Sequence, residues 1–179
     1  MNSQNKTLKI AKVSMLVAIS VVLVYLVHFP IFPPVPFLEY DPADIPIFIG
    51  TFAFGPAAGL MLAVVTAVIQ GLTVSAQSGV YGVIMHILAT GSFVLVAGLI
   101  YKGHKSRSKA VVALAAGVVT WTVVMVIANL IVTPLFMGVP VSVVKGLMPY
   151  IVGFNLIKAG VNSIITFFLY KRISGFLHK

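Results

Sequence analysis

Asn155 and Lys158 stand three residues apart in a strongly apolar stretch, a spacing that puts both on one face of a helix. Asn129 lies late in the apolar stretch before them, and His86 lies in an earlier one. An amide both donates and accepts hydrogen bonds, whereas an ammonium only donates. Such a set suits the polar edge of a small molecule. Two roles fit Lys158. It snorkels or pairs structurally, or it serves a ligand or partner, since a lysine deep in a bilayer costs about 2.5–3.5 kcal/mol. The asparagines fit interhelical hydrogen bonding or a shared pocket. His86 fits a packed, hydrogen-bonded role or the same cavity. Gln70 reads as interfacial, and Trp121 and the tyrosines as packing or interface anchors.

Catalytic groupings are missing from the sequence. The three acids, Glu39, Asp41 and Asp44, share one short segment. There is no H-E-x-x-H, no G-x-x-x-x-G-K-S/T and no G-x-S-x-G. Without a Walker motif the chain cannot hydrolyse ATP alone. Without carboxylates inside its apolar stretches it lacks the usual coupling parts of a free-standing secondary transporter. The absence of cysteine removes disulfides, thiolate metal sites and cysteine nucleophiles, and no metal site is expected. A membrane enzyme or assembly subunit is the rival class, and the lack of paired acid–base groups weighs against it.

These side chains need elements to hold them, and composition says which kind. Hydrophobic residues make up 60% of the 179, and charged residues only 8%, where a soluble domain carries about 25%. The net charge of +9 would suggest nucleic acid on a wet surface, which this composition cannot supply. The chain reads as one integral membrane domain over 1–179. Stretches 13–31, 80–101, 110–133 and 150–170 each suffice to cross a bilayer of about 30 Å. The first is followed by Pro30, Pro33, Pro34 and Pro36 rather than by a small-residue cleavage site, so it reads as a span. Stretch 45–73 is too long for one span and short for two.

Charge parity resolves that stretch. All basic residues except Lys145 and Lys158 fall in three clusters: Lys6, Lys9 and Lys12; Lys102, Lys105, Arg107 and Lys109; Lys171, Arg172 and Lys179. The positive-inside rule places all three in the cytoplasm. The acidic segment is then external, and an odd number of crossings must separate it from Lys102. Splitting 45–73 at Gly55-Pro56 supplies the third crossing, because glycine ends helices and proline begins them. The expected fold is an all-α membrane protein of six transmembrane helices, near 11–33, 43–55, 56–74, 80–101, 109–133 and 149–172. Both termini are cytoplasmic, and the second helix is short and follows a partly re-entrant capping loop. On the first helix, Ser14 and Ala18 form a small-xxx-small pair that admits close helix approach, within the protein or from a partner.

Several segments then point to a family. LEYDPADIP at 38–46 followed by FGPAAG at 54–59 resembles the signature of the substrate-binding S-components of energy-coupling-factor (ECF) vitamin transporters. GFNLIKAG at 153–160, and Ala128-Asn129 with Thr133-Pro134, resemble the riboflavin-specific members. The resemblance covers essentially the whole chain. It implies a multi-pass cell-membrane protein with six helices, no catalysis and no cofactor, carrying riboflavin as its transported ligand. Asn129, Asn155 and Lys158 would bind the flavin ring, and the first loop, with Tyr40, Asp41 and Asp44, would cap the ribityl chain. Ser14 and Ala18 would dock on a coupling membrane subunit, which works with two cytosolic ATPases. The chain departs from riboflavin members at Thr66-Ala67, where Lys-Asn is frequent, and at His86, where asparagine is common. Another flat heterocyclic or pantothenate-like vitamin on the same scaffold is the alternative ligand.

Overall fold

The break expected at Gly55-Pro56 is where one helix stops and the next starts. Gly55 takes φ +93°, a conformation open to glycine, and its N–H bonds to Thr51 O. Pro56 opens the following helix, where its missing N–H is no loss. The computed structural model describes residues 3–103 and 105–177. Lys179 of the last basic cluster lies outside them. The helices are α1 (Ser3–Leu26), α2 (Asp44–Phe54), α3 (Pro56–Leu72), α4 (Gly79–Gly103), α5 (Arg107–Met137) and α6 (Val141–Leu177). A two-stranded antiparallel ladder, β1 (Phe29–Pro30) with β2 (Glu39–Tyr40), closes the loop after α1, and a 3-10 turn spans Ala76–Ser78.

Among the described residues, four segments are long and apolar enough to cross a membrane: Thr7–Leu26, Ala76–Gly103, Arg107–Met137 and Val141–Arg172. Helices α2 and α3 are shorter, with 11 and 17 residues, or about 16 and 25 Å. The short α2 does not have to match the bilayer, because protein surrounds it. Every α2 residue but Phe54 is buried, with α1, α3, α4 and α6 packed around it. On α4, a Cβ at Gly98 would press on the side chains of Pro56 and Thr51. Only glycine lets α4 pass so close to the α2–α3 junction. The centre is aromatic: Phe48 stacks on Phe93 at 3.7 Å, and the Trp121 ring stands edge-on to both.

Among the helix limits that differ from expectation, three lie at the end of the molecule that carries the first loop. The first helix stops at Leu26 instead of running to 33, and the His28 Nδ1–H donates to the freed Val24 carbonyl at 3.0 Å. Helix α5 continues through Pro134 to Met137, where Gly138 at φ +65° ends it. Helix α6 starts at Val141, ahead of Pro149. Tertiary packing holds that extra length, since Val144 and Ile151 bury fully against Val35 of the first loop. Lys145 is therefore an exposed helical residue.

Candidate ligand-binding site

Three polar residues of α6, Asn155, Lys158 and Asn162, follow one another at helical spacing and share a face. All three are buried. Lys158 does not snorkel: its Nζ donates to Asp41 Oδ2 at 2.6 Å and, more weakly, to the Glu39 carbonyl at 3.4 Å. Burial alone would push the Asp41 carboxyl up. The Lys158 ammonium and the hydrogen bonds from Lys158 and the Ala43 N–H outweigh that and hold it below its ordinary range. Asp41 is thus an ionised partner, and the pair ties the first loop to α6.

A second tie lies one turn along. The Tyr40 hydroxyl donates to Asn162 Oδ1 at 3.0 Å. Asn162 Nδ2 in turn donates to Asp41 O at 3.1 Å and Asp44 Oδ2 at 3.4 Å. Thr90 of α4 donates to the other Asp44 oxygen at 2.7 Å, and His86 Nε2 stands 3.7 Å from that oxygen. Asp44 is the fully buried first residue of α2, facing a histidine. Its carboxylate at a helix N-terminus is electrostatically favourable.

Above this network is a cavity of about 360 Å³, within the size range of small-molecule sites. Asn155, Lys158 and Phe154 of α6, Trp121 and Met125 of α5, and His86 of α4 form one side. Ala67, Gln70 and Gly71 of α3 form the other, and 36–39 with Asp41 complete the wall. The cavity lies at the ends of the helices remote from the 102–109 basic cluster. Trp121 is more than packing, since its indole N–H donates to Asn155 Oδ1 at 2.7 Å. Asn155 Nδ2 donates to Ile151 O at 2.8 Å. One amide hydrogen and one lone pair of Asn155, and at least one ammonium hydrogen of Lys158, are left for a ligand.

Of the residues singled out from sequence, Asn155, Lys158, Asp41 and His86 meet on this wall. Tyr40 and Asp44 stand behind it as supports. Asn129 does not converge with Asn155 and Lys158. It lines an adjoining recess of about 80 Å³ between Phe37, Tyr81 and Phe136. Both its polar ends are engaged on its own helix, donating to Met125 O at 2.7 Å and accepting from Thr133 at 2.8 Å. Gln70 is not interfacial: it is 4% exposed and faces the cavity, because the turn after α3 folds back onto its carbonyl through Thr73 and Ser75 N–H. Ser14 and Ala18 are exposed on α1, turned away from the buried Val13 and Leu16, so the pair does not serve internal packing. Asn162 was missed in the sequence, although its place one turn beyond Lys158 was a usable signal.

Comparison with known proteins decides the family. Residues 8–170 match the family described as "ECF transporter, substrate-specific component". The chain belongs to that family. This S component is 34% identical over 188 residues to "Riboflavin transporter RibU" of Staphylococcus aureus (strain TCH60), covering 98% of this chain and 94% of the relative. It is 27% identical over 188 residues to "Riboflavin transporter FmnP" of Bacillus subtilis (strain 168), covering 97% and 96%. A solved structure described as "Structure and mechanism of the S component of a bacterial ECF transporter" superposes with a TM-score of 0.82 at 35% identity. That match covers 99% of this chain and all of the other. The S component is a multi-pass cell-membrane transport protein and not an enzyme.

Proposed function

We propose that this S component binds riboflavin in the 360 Å³ cavity and mediates its uptake with a coupling membrane subunit and two cytosolic ATPases. The observation that carries the reading is a cavity wall joining an aromatic ring to unspent amide and ammonium groups, in a chain similar along its whole length to two named riboflavin transporters. A flavin ring carries carbonyl oxygens, an imide N–H and ring nitrogens along one polar edge. The remaining donors of Lys158 and Asn155 and the free lone pair of Asn155 match that edge, and Trp121 and Phe154 offer apolar contact to the ring. Asn129 stands apart from this contact set, bordering the adjoining recess with both polar ends engaged on α5. His86 borders the ring from α4. Tyr40, Asp41 and Asp44 hold the capping loop in place, and Ser14 and Ala18 form the docking face for the coupling subunit. Titrating the purified protein into riboflavin and following loss of flavin fluorescence tests the reading; saturable quenching is the expected result.

The same reading makes the chain one transmembrane domain over 1–179, crossing six times with both termini in the cytoplasm. The basic clusters support this, because their described residues lie at one end of the helices and the acids at the other. A chain without cysteine allows a clean labelling test. Ala43 is fully buried, so the exposed Pro34 is the site to use in the first loop, and the exposed Ser108 at the start of α5. Pro34→Cys should react with an impermeant thiol reagent in intact cells, and Ser108→Cys only after the membrane is opened. Reaction of Ser108→Cys from outside would reject three crossings between the two sites.

A further inference from the structure

Gln70 is 4% exposed on the cavity wall, yet its Nε2 has no hydrogen-bond partner. A buried amide left unpaired is unfavourable by an amount comparable to a lost hydrogen bond. Most of the groups opposite differ in this respect: Lys158, Asp41, Asn155 and Trp121 already bond to one another or to the main chain, while His86 Nε2, also without a hydrogen bond, stands 3.7 Å from the Asp44 carboxylate. The two sides of the cavity also differ in kind. The α5–α6 side is aromatic and charged. The α3 side continues from Gln70 into Ser75, Gln77 and Ser78, neutral hydroxyl and amide groups that reach the half-exposed and exposed turn before α4.

We propose that Gln70 is a specificity residue that holds the sugar-alcohol tail of the ligand, the ribityl chain hanging toward the 75–78 rim while the ring stays on the α5–α6 side. This rests on the riboflavin reading and deepens it. A polyol hydroxyl both donates and accepts, so it pairs with the Gln70 amide whichever way that amide is turned. The tail's remaining hydroxyls cannot be buried unpaired without penalty, and at this rim they find serine, glutamine and water. The first loop, by contrast, has spent its Tyr40, Asp41 and Asp44 groups on α6 and α4. It covers the ligand without being the tail's main partner.

Two flavins separate tail from ring. Lumiflavin has the same ring as riboflavin with a methyl group in place of the ribityl chain. Each would be titrated, by fluorescence quenching, into the detergent-purified full chain and into Gln70→Leu. Gln70→Leu should weaken riboflavin binding by about tenfold, the worth of one hydrogen bond, and leave lumiflavin binding unchanged. Without ligand the variant should melt no lower than the parent, because an unpaired buried amide is replaced by an apolar group of similar size. Equal losses for both flavins, or no loss for either, would overturn the assignment. If Gln70→Leu fails to fold, Gln70→Met provides the same comparison. A parent that binds neither flavin would instead count against the riboflavin reading beneath it.

Discussion

Lys158→Met is expected to weaken riboflavin binding by ten- to a hundredfold and to lower the melting temperature of the ligand-free protein. The two effects have separate causes. The lost affinity is that of a charge-assisted hydrogen bond, about 1.5–3 kcal/mol. The lost stability comes from Asp41, whose side chain is 9% exposed and loses the 2.6 Å partner that offsets the penalty of burying a carboxylate. Breaking a buried pair from one side costs about 3–5 kcal/mol. Adding Asp41→Asn to Lys158→Met removes the stranded charge, so the double variant should regain much of the melting temperature and none of the affinity. Lys145→Met, at the exposed start of α6, should change neither. Thermal unfolding alongside flavin titration reads both quantities. Full-strength binding by the double variant would show that Lys158 orders the first loop and does nothing for the ligand.

The second large effect is on transport alone. Ser14→Trp combined with Ala18→Trp should abolish riboflavin uptake by cells while the purified protein binds riboflavin as the parent does. Both positions are exposed near the middle of α1, away from the buried Val13 and Leu16 and from the cavity. Small residues one turn apart let a second helix come close, and two indoles hold it off. Measuring uptake and binding on the same variant separates the outcomes. Parallel loss of both would mean that the substitutions disturb the fold, and unchanged uptake would remove this face from the docking surface.

How much of this could be read in the sequence depended on whether the cause was local. The α2–α3 break was legible because Gly55 and Pro56 act on their own backbone. Asn155 and Lys158 were legible because polar groups stand out in an apolar helix. The N-terminal extension of α6 was not, since its cause is Val144 and Ile151 packing on Val35 of a distant loop. Nor was the Lys158–Asp41 pair, whose members are 117 residues apart in the chain. The surroundings of Asp44 were not legible either, because only the folded chain brings Thr90, His86 and Asn162 around it. Gln70 was misplaced for a related reason. Its position near a helix end suggests an interface, and only the backward fold of the next turn encloses it. Asn129 was grouped with Asn155 by depth alone, which carries no information about which cavity a side chain borders.

If riboflavin occupies the cavity, it should leave the cell with the purified protein. The full chain, produced in cells supplied with riboflavin and purified in mild detergent, would be denatured and its released small molecules measured by mass spectrometry. Riboflavin approaching one molecule per chain is expected, and far less from Lys158→Met with Asp41→Asn. A different vitamin at that stoichiometry, or no flavin from a protein shown to be folded, would contradict it.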